Sequence, residues 1–388
     1  MPRRSVRALV LAVALPLAAL ALQPTAAYAQ AAPVGGPMLG TTGTVVAPGD
    51  TPLPKVSALG WLVADATSGK VLAAHDPHGR FYPASTLKTL TALTVLPALT
   101  KASTYVARDQ DVRAEGSQVG IVAGATYSVD DLFNALFLES GNDAASALAN
   151  AYGGWSKTVA AENANAQRLQ AYDTTVLNPS GLDHKGQLSS AYDLALIARA
   201  GEARPDFRHY TSTQRYRFPG KMPKKPGAHR THFQIQNQNR LLMEGFPGMV
   251  GVKTGYTTMA GRTYVGGAMY HGHLVLVTLM HVAGMSDVAA RKLLVWGFKN
   301  LSRPGVGVLV DPVPVGEVTS AAGPSPSVAA AHVAPVTAGS GLPSKAWLGV
   351  AVGAGLLLLA GALRRRQVRA RARARARARE ARRRPARL

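Results

Sequence analysis

Two apolar runs, one near each end of the 388-residue chain, confine any folded body to the stretch between them. Ala346 to Leu363 holds 18 uncharged residues rich in Leu, Val, Ala and Gly, enough for a transmembrane helix, with Trp347 where an interfacial aromatic belongs. Thirteen Arg and one Glu follow between Arg364 and Leu388. Excess arginine marks the cytoplasmic side, and such a tail suits a stop-transfer signal resting on anionic lipid. At the other end, residues 1–29 combine a basic start, an apolar run from Ala8 to Leu22 broken by Pro16, and the small-x-small site Ala27-Tyr28-Ala29. This is the pattern of a secretory signal peptide cleaved after Ala29. Arg3-Arg4 resembles a twin-arginine signal, but the residues around it fit the general export route better. The predicted topology is a cell-membrane protein with a single C-terminal span, its body outside and its tail inside.

The formal charge of +22 belongs largely to those ends. Removing +12 for the tail and +3 for Arg3, Arg4 and Arg7 leaves +7 for the body, which carries no groove-reading or base-stacking motif, so nucleic acid is not an expected partner. Cysteine is absent, which excludes disulfides, thiolate metal sites and a cysteine nucleophile. Packing alone must hold an exported body together, and a hydrophobic content of 47% supplies the material. Residues 30–54 and 311–345 are rich in Pro, Ala, Val, Ser and Gly with little charge. They read as a flexible lead-in and as a spacer that lifts the body off the membrane. That leaves residues 55–310 as one folded unit.

Within this unit, Ala58 to Ala64 and Lys70 to Ala74 read as strands joined across Asp65-Ala66-Thr67-Ser68-Gly69. Pro83 opens a helix whose Leu87, Leu90, Leu93 and Leu96 recur on one face. Ser128-Val129-Asp130-Asp131 starts another, carried by Leu132, Leu136 and Leu138 as far as Glu139 and ended by Ser140-Gly141-Asn142. Alanine-rich stretches at Asp143 to Tyr152, Lys157 to Tyr172 and Ser190 to Ala200 predict a helical lobe, and Asn178-Pro179-Ser180-Gly181-Leu182 is a loop. Strands return at Met249 to Thr254, Thr263 to Met269 and Leu274 to Val282, the last two paired across Tyr270-His271-Gly272-His273. Ser286 is expected to cap a final helix from Asp287 to Leu301. Hairpins at both ends with helices between them predict an α+β fold, an antiparallel sheet whose first and last strands meet, packed with helices and joined to a helical lobe.

Ser85 and Lys88 stand at i and i+3 where the Pro83 helix begins, so the amine can swing back to the hydroxyl. At a buried helix start, unpaired N–H groups and the positive dipole end favour a neutral amine, and such a lysine can act as base toward a serine nucleophile. Ser140-Gly141-Asn142 places a hydroxyl and a carboxamide where a helix breaks into a loop, although an ordinary C-cap with Gly141 in the left-handed region explains the tripeptide as well. Lys253-Thr254-Gly255 ends a strand bracketed by Gly251 and Gly255. A glycine there lets a ligand approach the sheet edge and a lysine beside it can meet a carboxylate, while alone the tripeptide is a strand end with a solvated lysine. Each motif is weak by itself, but all three occur together and in this order.

With its context the set resembles the penicilloyl-serine transferases, and more narrowly the low-molecular-mass penicillin-binding proteins that are D-alanyl-D-alanine carboxypeptidases of the S11 serine peptidase type. The likeness runs from Pro83-Ala84-Ser85-Thr86-Leu87-Lys88 and Thr91 through Ser140-Gly141-Asn142-Asp143-Ala144-Ala145, Asn178-Pro179-Ser180-Gly181-Leu182-Asp183 and Asn237-Gln238-Asn239-Arg240-Leu241-Leu242. It continues from Gly251 through Thr257 to Ala260-Gly261, so that it covers roughly Lys55 to Leu301. The resemblance implies a serine β-lactamase/DD-peptidase-like fold that needs no cofactor, a peptidoglycan stem pentapeptide as substrate, and β-lactams as covalent inhibitors. It also implies that Ser85 attacks the carbonyl of the penultimate D-alanine to form an acyl-enzyme, that Lys88 takes its proton, and that Ser140 relays the proton to the leaving D-alanine. Asn142 would meet the substrate backbone, and Lys253 with Thr254 would hold the terminal carboxylate at the Gly255 edge. The N–H groups of Ser85 and Tyr256 would form the oxyanion hole. Two departures stand out: no β-rich second domain is expected after residue 310, and Tyr256 stands where many relatives carry histidine, which leaves a backbone N–H role intact.

Other readings are a catalytically idle, membrane-tethered wall-binding module, and a β-lactamase or DD-endopeptidase of the same superfamily. Complete motifs speak against the first, and the lack of a Glu-x-x-Leu-Asn segment to activate a deacylating water speaks against a β-lactamase. A zinc peptidase needs clustered ligands. His271-x-His273 flanks a turn, and neither it nor His229-x-x-His232 has an acidic third ligand in the sequence, so no metal is expected. Arg204, Arg208, Arg215, Arg217, Lys221, Lys224 and Lys225 read as a solvated face, with anionic wall polymer as the alternative contact.

Overall fold

The computed structural model describes residues 32–314 except 50, 224 and 226. The expected signal peptide at 1–29, the part of the expected 311–345 spacer beyond residue 314, the membrane helix at 346–363 and the arginine tail at 364–388 lie outside the described residues. Among the described residues no helix is long and apolar enough to cross a membrane.

The edge strand β1 (Thr44–Val46) is followed by the hairpin of β2 (Ala58–Asp65) and β3 (Lys70–His75). A tight 3-10 turn, Ala84–Leu87, runs directly into α1 (Lys88–Val95). Next come β4 (Thr104–Val106), α2 (Asp109–Val112), β5 (Thr126–Ser128), α3 (Val129–Leu138), α4 (Asn142–Tyr152) and α5 (Trp155–Arg168). After the 169–190 loops, α6 (Ala191–Glu202) and α7 (Pro205–Ser212) complete the helical lobe, and β6 (Arg215–Pro219) pairs with β7 (His232–Gln236). The short α8 (Arg240–Met243) precedes β8 (Met249–Thr257), β9 (Gly261–Tyr270), β10 (His273–Val282), α9 (Ser286–Lys299) and β11 (Gly307–Val308). The main sheet runs β1-β3-β2-β10-β9-β8 with β11 also on β3, antiparallel throughout. Strands far apart in sequence do meet: Leu279 of β10 lies opposite Trp61 of β2.

Alternation along the central strands divides the core in two. Trp61, Val63, Val277 and Leu279 pack with Leu293, Leu294 and Trp296 of α9. Leu62, Ala64, Leu276 and Met280 pack with the helical side, including Leu90 of α1 and Ile197 of α6. Each of the larger aliphatic side chains among these contributes about 1.5–3 kcal/mol of transfer free energy, which is how a chain without disulfides holds together. The lobe starts where its caps specify: the Ser128 hydroxyl accepts the Asp131 N–H at α3, and the Ser190 hydroxyl accepts the Asp193 N–H at α6.

Some expectations are corrected. Residues 37–46 are not a flexible lead-in: Leu39 is fully buried, β1 pairs with β3, and Val308 donates to the Gly35 carbonyl at 2.8 Å. The β3 edge needed a partner, and this segment covers it. The helix expected at Lys157 to Tyr172 spans Trp155–Arg168, because Gly153 and Gly154, both at positive φ, separate it from α4. Ser286 is the first residue of α9 rather than its cap, and the helix ends at Lys299.

Candidate active site

The nucleophile candidate sits in the 3-10 turn, with Ala84 at φ 48 and the Thr86 hydroxyl donating to the Pro83 carbonyl. Lys88, the first residue of α1, is fully buried. Its Nζ lies 2.9 Å from Ser85 Oγ, 2.6 Å from Asn142 Oδ1 and 2.6 Å from the Ser180 carbonyl. The last two oxygens can only accept from the amine, so when the amine is neutral its two hydrogens go to them and its lone pair is left to the Ser85 hydroxyl. Burial first, and then the charge of Lys253, hold the Lys88 amine well below the ordinary lysine range, with Asp143 pulling the other way. Such an arrangement can serve as a base for a serine nucleophile.

Ser140 follows the C-cap Glu139 of α3 and is itself the left-handed residue, at φ 60, while Gly141 stays at φ −57. The C-cap reading that placed Gly141 in the left-handed region therefore fails. A non-glycine residue held there costs on the order of 1–3 kcal/mol, and here it aims a hydroxyl into the cleft. Asn142, expected to meet substrate, is used twice inside the protein: Oδ1 accepts from Lys88 and Nδ2 donates to the Glu115 carbonyl. Asp143, which sequence reasoning passed over, is buried and accepts the N–H groups of Val119, Gly120 and Ile121 at 3.0, 2.8 and 3.1 Å. It thereby fixes the loop that carries Ser117 to the cleft wall. An acid immediately after the Ser140 motif was the available signal.

The Ser85 turn is gripped from two sides. A β carbon built on Gly255 of β8 would fall 2.9 Å from Ser85 N, so only glycine lets the strand lie this close. On the other side Gly181, at φ 80, lies so near that a β carbon would meet the Ala84 carbonyl oxygen at 2.0 Å. The Asn178 side-chain oxygen accepts the N–H groups of Ser180, Gly181 and Leu182 and stiffens that loop. Lys253 is 2% exposed rather than solvated, and its Nζ donates to the Thr254 carbonyl at 2.8 Å. Burial pushes its amine down to about 7.

A cleft of about 280 Å³ collects Ser85, Ser117, Ser140, Thr254, Gly255 and Tyr256 on its walls. Lys88, Asn142 and Lys253 are buried behind this lining. Tyr256 is 65% exposed, and the Arg262 guanidinium lies 5.4 Å from its ring centre, so the aromatic ring forms a rim while its backbone stays on the sheet edge. A larger groove of about 630 Å³ between α1, α5 and α6 holds none of these groups and no nucleophile beside a base, so the smaller cleft is the candidate site. The histidine pairs considered for zinc take no part in it: His273 instead meets Asp65 at 2.9 Å. Among the described residues His78, Asp173 and Asp193 come close enough to share an ion, but His78 is already engaged by Asp173 at 2.7 Å and the Val34 carbonyl at 3.1 Å.

Comparison with known proteins agrees with this geometry. The family model described as D-alanyl-D-alanine carboxypeptidase, peptidase S11, matches residues 46–283. The D-alanyl-D-alanine carboxypeptidase DacB2 of Mycobacterium tuberculosis is 40% identical over 269 residues, covering 67% of this chain and 89% of that protein. DacD of Salmonella typhimurium is 33% identical over 266 residues, 64% of this chain and 65% of its own length. Among solved structures, a D-alanyl-D-alanine carboxypeptidase from M. tuberculosis superposes with a TM-score of 0.64 at 38% identity, covering 68% of this chain and 99% of that one. A point mutant of the Streptomyces K15 DD-transpeptidase gives 0.60 at 27% identity, covering 63% and 99%. The fold is that of the serine DD-peptidases, and the chain belongs to the S11 peptidase family of D-alanyl-D-alanine carboxypeptidases.

Proposed function

We propose that the protein is a serine-type D-Ala-D-Ala carboxypeptidase that removes the terminal D-alanine from peptidoglycan stem pentapeptides through an acyl-enzyme on Ser85. The observation that carries this reading is Lys88 Nζ held 2.9 Å from Ser85 Oγ while Asn142 Oδ1 and the Ser180 carbonyl, each at 2.6 Å, stand ready to take the two hydrogens of the neutral amine. Ser85 Oγ bonds to the carbonyl carbon of the penultimate residue as its proton passes to Lys88 Nζ. The N–H groups of Ser85 and Tyr256, on the turn and strand that Gly255 brings together, receive the developing oxyanion. The C–N bond then breaks, and the proton reaches the departing D-alanine amine through Ser140. Water opens the ester, returning Ser85 and releasing the shortened peptide. Lys253 and Thr254 grip the terminal carboxylate, and Asn142 acts first on Lys88, with the substrate backbone within reach of its amide only if the Glu115 contact is shared. A β-lactam enters the same step and stays as a stable ester.

The apolar run at 346–363, the arginine tail and the signal-like N-terminus support a single-pass anchor that holds the catalytic domain outside the cell membrane, with the tail on anionic lipid. Resemblance to a DD-transpeptidase favours transfer to an amine as the second reading. Product analysis separates them. A synthetic pentapeptide ending in D-Ala-D-Ala, offered with and without an amine acceptor, should give one free D-alanine per tetrapeptide in both cases. A crosslinked product dominating in the presence of acceptor would mean transfer instead, and no D-alanine release alongside intact β-lactam binding would leave only a binding module.

A further inference from the structure

Asp183 follows the loop from Asn178 to Leu182 and is exposed, outside the lining of the cleft. Its carboxylate nevertheless joins two segments of the site. Oδ1 accepts the Thr257 hydroxyl at 2.6 Å, and Oδ2 accepts the Met259 N–H at 3.2 Å. Thr257 Oγ in turn accepts the Ala260 N–H at 3.0 Å, so one acid gathers the last residue of β8 and the 258–260 turn that leads into β9. The loop behind Asp183 is held firmly. The Leu182 carbonyl accepts from Asn178 Nδ2 at 3.1 Å and from Gln187 Nε2 at 2.7 Å, while Gln187 Oε1 accepts the N–H groups of Leu177 and Asn178 at 2.9 and 2.8 Å. From the same loop the Ser180 carbonyl holds Lys88 Nζ. The end of β8 has less support of its own: among the described residues β9 is its one strand partner, and Gly251 and Gly255 interrupt it.

We propose that Asp183 is a positioning residue for the oxyanion hole: it ties the end of β8 to the loop that holds Lys88, and so fixes the Tyr256 N–H relative to Ser85. The inference rests on the N–H groups of Ser85 and Tyr256 forming that hole, as read above. Asp183 acts through Thr257, the residue after Tyr256, and lines no part of the cleft itself. Without it a donor shifts at the place where negative charge develops, while the groups that bind the ground state stay where they are. Acylation and deacylation both pass through an oxyanion, so both steps slow together, and kcat falls with KM little changed.

The test compares Asp183→Ala, Asp183→Asn and Thr257→Val in the full chain. Each is read by acylation with a fluorescent penicillin, by kcat and KM on the pentapeptide, by thermal unfolding, and by affinity for a peptide boronic acid, whose tetrahedral adduct on Ser85 places an oxygen in the hole. Asp183→Ala and Thr257→Val should each lower kcat and the acylation rate about tenfold with KM within about twofold, a fraction of the about 10²–10³-fold lost with a whole oxyanion donor. Boronic acid affinity should fall by the same factor. Asp183→Asn keeps an acceptor for Thr257 and should stay within about threefold of wild type. Combining Asp183→Ala with Thr257→Val should be no slower than either alone, because both break one link. Asp183→Ala at the wild-type rate, losses that multiply in the combined variant, or a lowered melting temperature with kcat and boronic acid affinity unchanged overturns the proposal. If Asp183→Ala does not fold, Thr257→Val decides: wild-type speed from it overturns the proposal equally. A wild-type protein that neither acylates nor releases D-alanine overturns the functional reading, and this proposal falls with it.

Discussion

Lys88→Ala is expected to slow acylation of Ser85 by about 10²–10⁴-fold, the usual range for loss of a positioned general base. The turn that carries Ser85 is held independently by Gly255 and Gly181 packing and by the Thr263 hydroxyl on the Pro83 carbonyl at 2.9 Å, so the nucleophile stays in place when the amine is removed. What disappears is the lone pair. Lys88→Arg should be no better than alanine, because a guanidinium remains protonated and has no lone pair to offer. Stopped-flow acylation with a fluorescent penicillin reads both variants, and near-wild-type rates in either would remove Lys88 from the base role. The wild-type rate should fall on acidification, as the Lys88 amine, held well below its ordinary range, takes up a proton. The sign for stability is the same: the folded state binds fewer protons than the unfolded chain, so this group's contribution is present at higher pH and is lost as pH falls through the folded value.

Lys253→Ala is expected to lower kcat/KM on the pentapeptide by about 10²–10³-fold, the effect of removing a buried charged partner of a carboxylate. The loss should be far smaller on a substrate whose C-terminal carboxyl is blocked, since such a substrate never uses the lysine. Burial places the free amine at about 7, so kcat/KM for the pentapeptide should decline on the alkaline side of neutrality. A bound carboxylate favours the charged form, and the corresponding limb in kcat should therefore lie at higher pH. A variant that loses equally on free and blocked peptides would show that Lys253 supports the fold rather than the carboxylate.

Local physics made much of this legible. The apolar runs Ala58 to Ala64 and Leu274 to Val282, each next to a hairpin turn, gave the central strands, and the leucine period after Pro83 gave the buried helix that carries Lys88. The three motifs supplied the cleft residues Ser85, Ser140 and Thr254. What escaped depends on partners distant in sequence. Leu39 and Thr44–Val46 lie in a Pro- and Gly-rich stretch whose order comes from β3, some 30 residues further on. Lys253 looked like a solvated strand end because nothing in its own tripeptide says that the Ser85 turn and the lobe close over it. Asn142 was assigned to substrate by the resemblance, and its two internal partners, Lys88 and the Glu115 carbonyl, were not legible because they are set by loop packing rather than by spacing. Glu162 of α5 is fully buried, yet it gave no signal at all, since one acid in an alanine-rich helix reads as solvent-facing.

The most direct measurement is to incubate the intact protein with a β-lactam and map the adduct by peptide mass spectrometry. The account predicts one acyl group per chain, on the peptide carrying Ser85, and none on a Ser85→Ala variant that also releases no D-alanine. An adduct on another residue, or D-alanine release that survives the substitution, would contradict it.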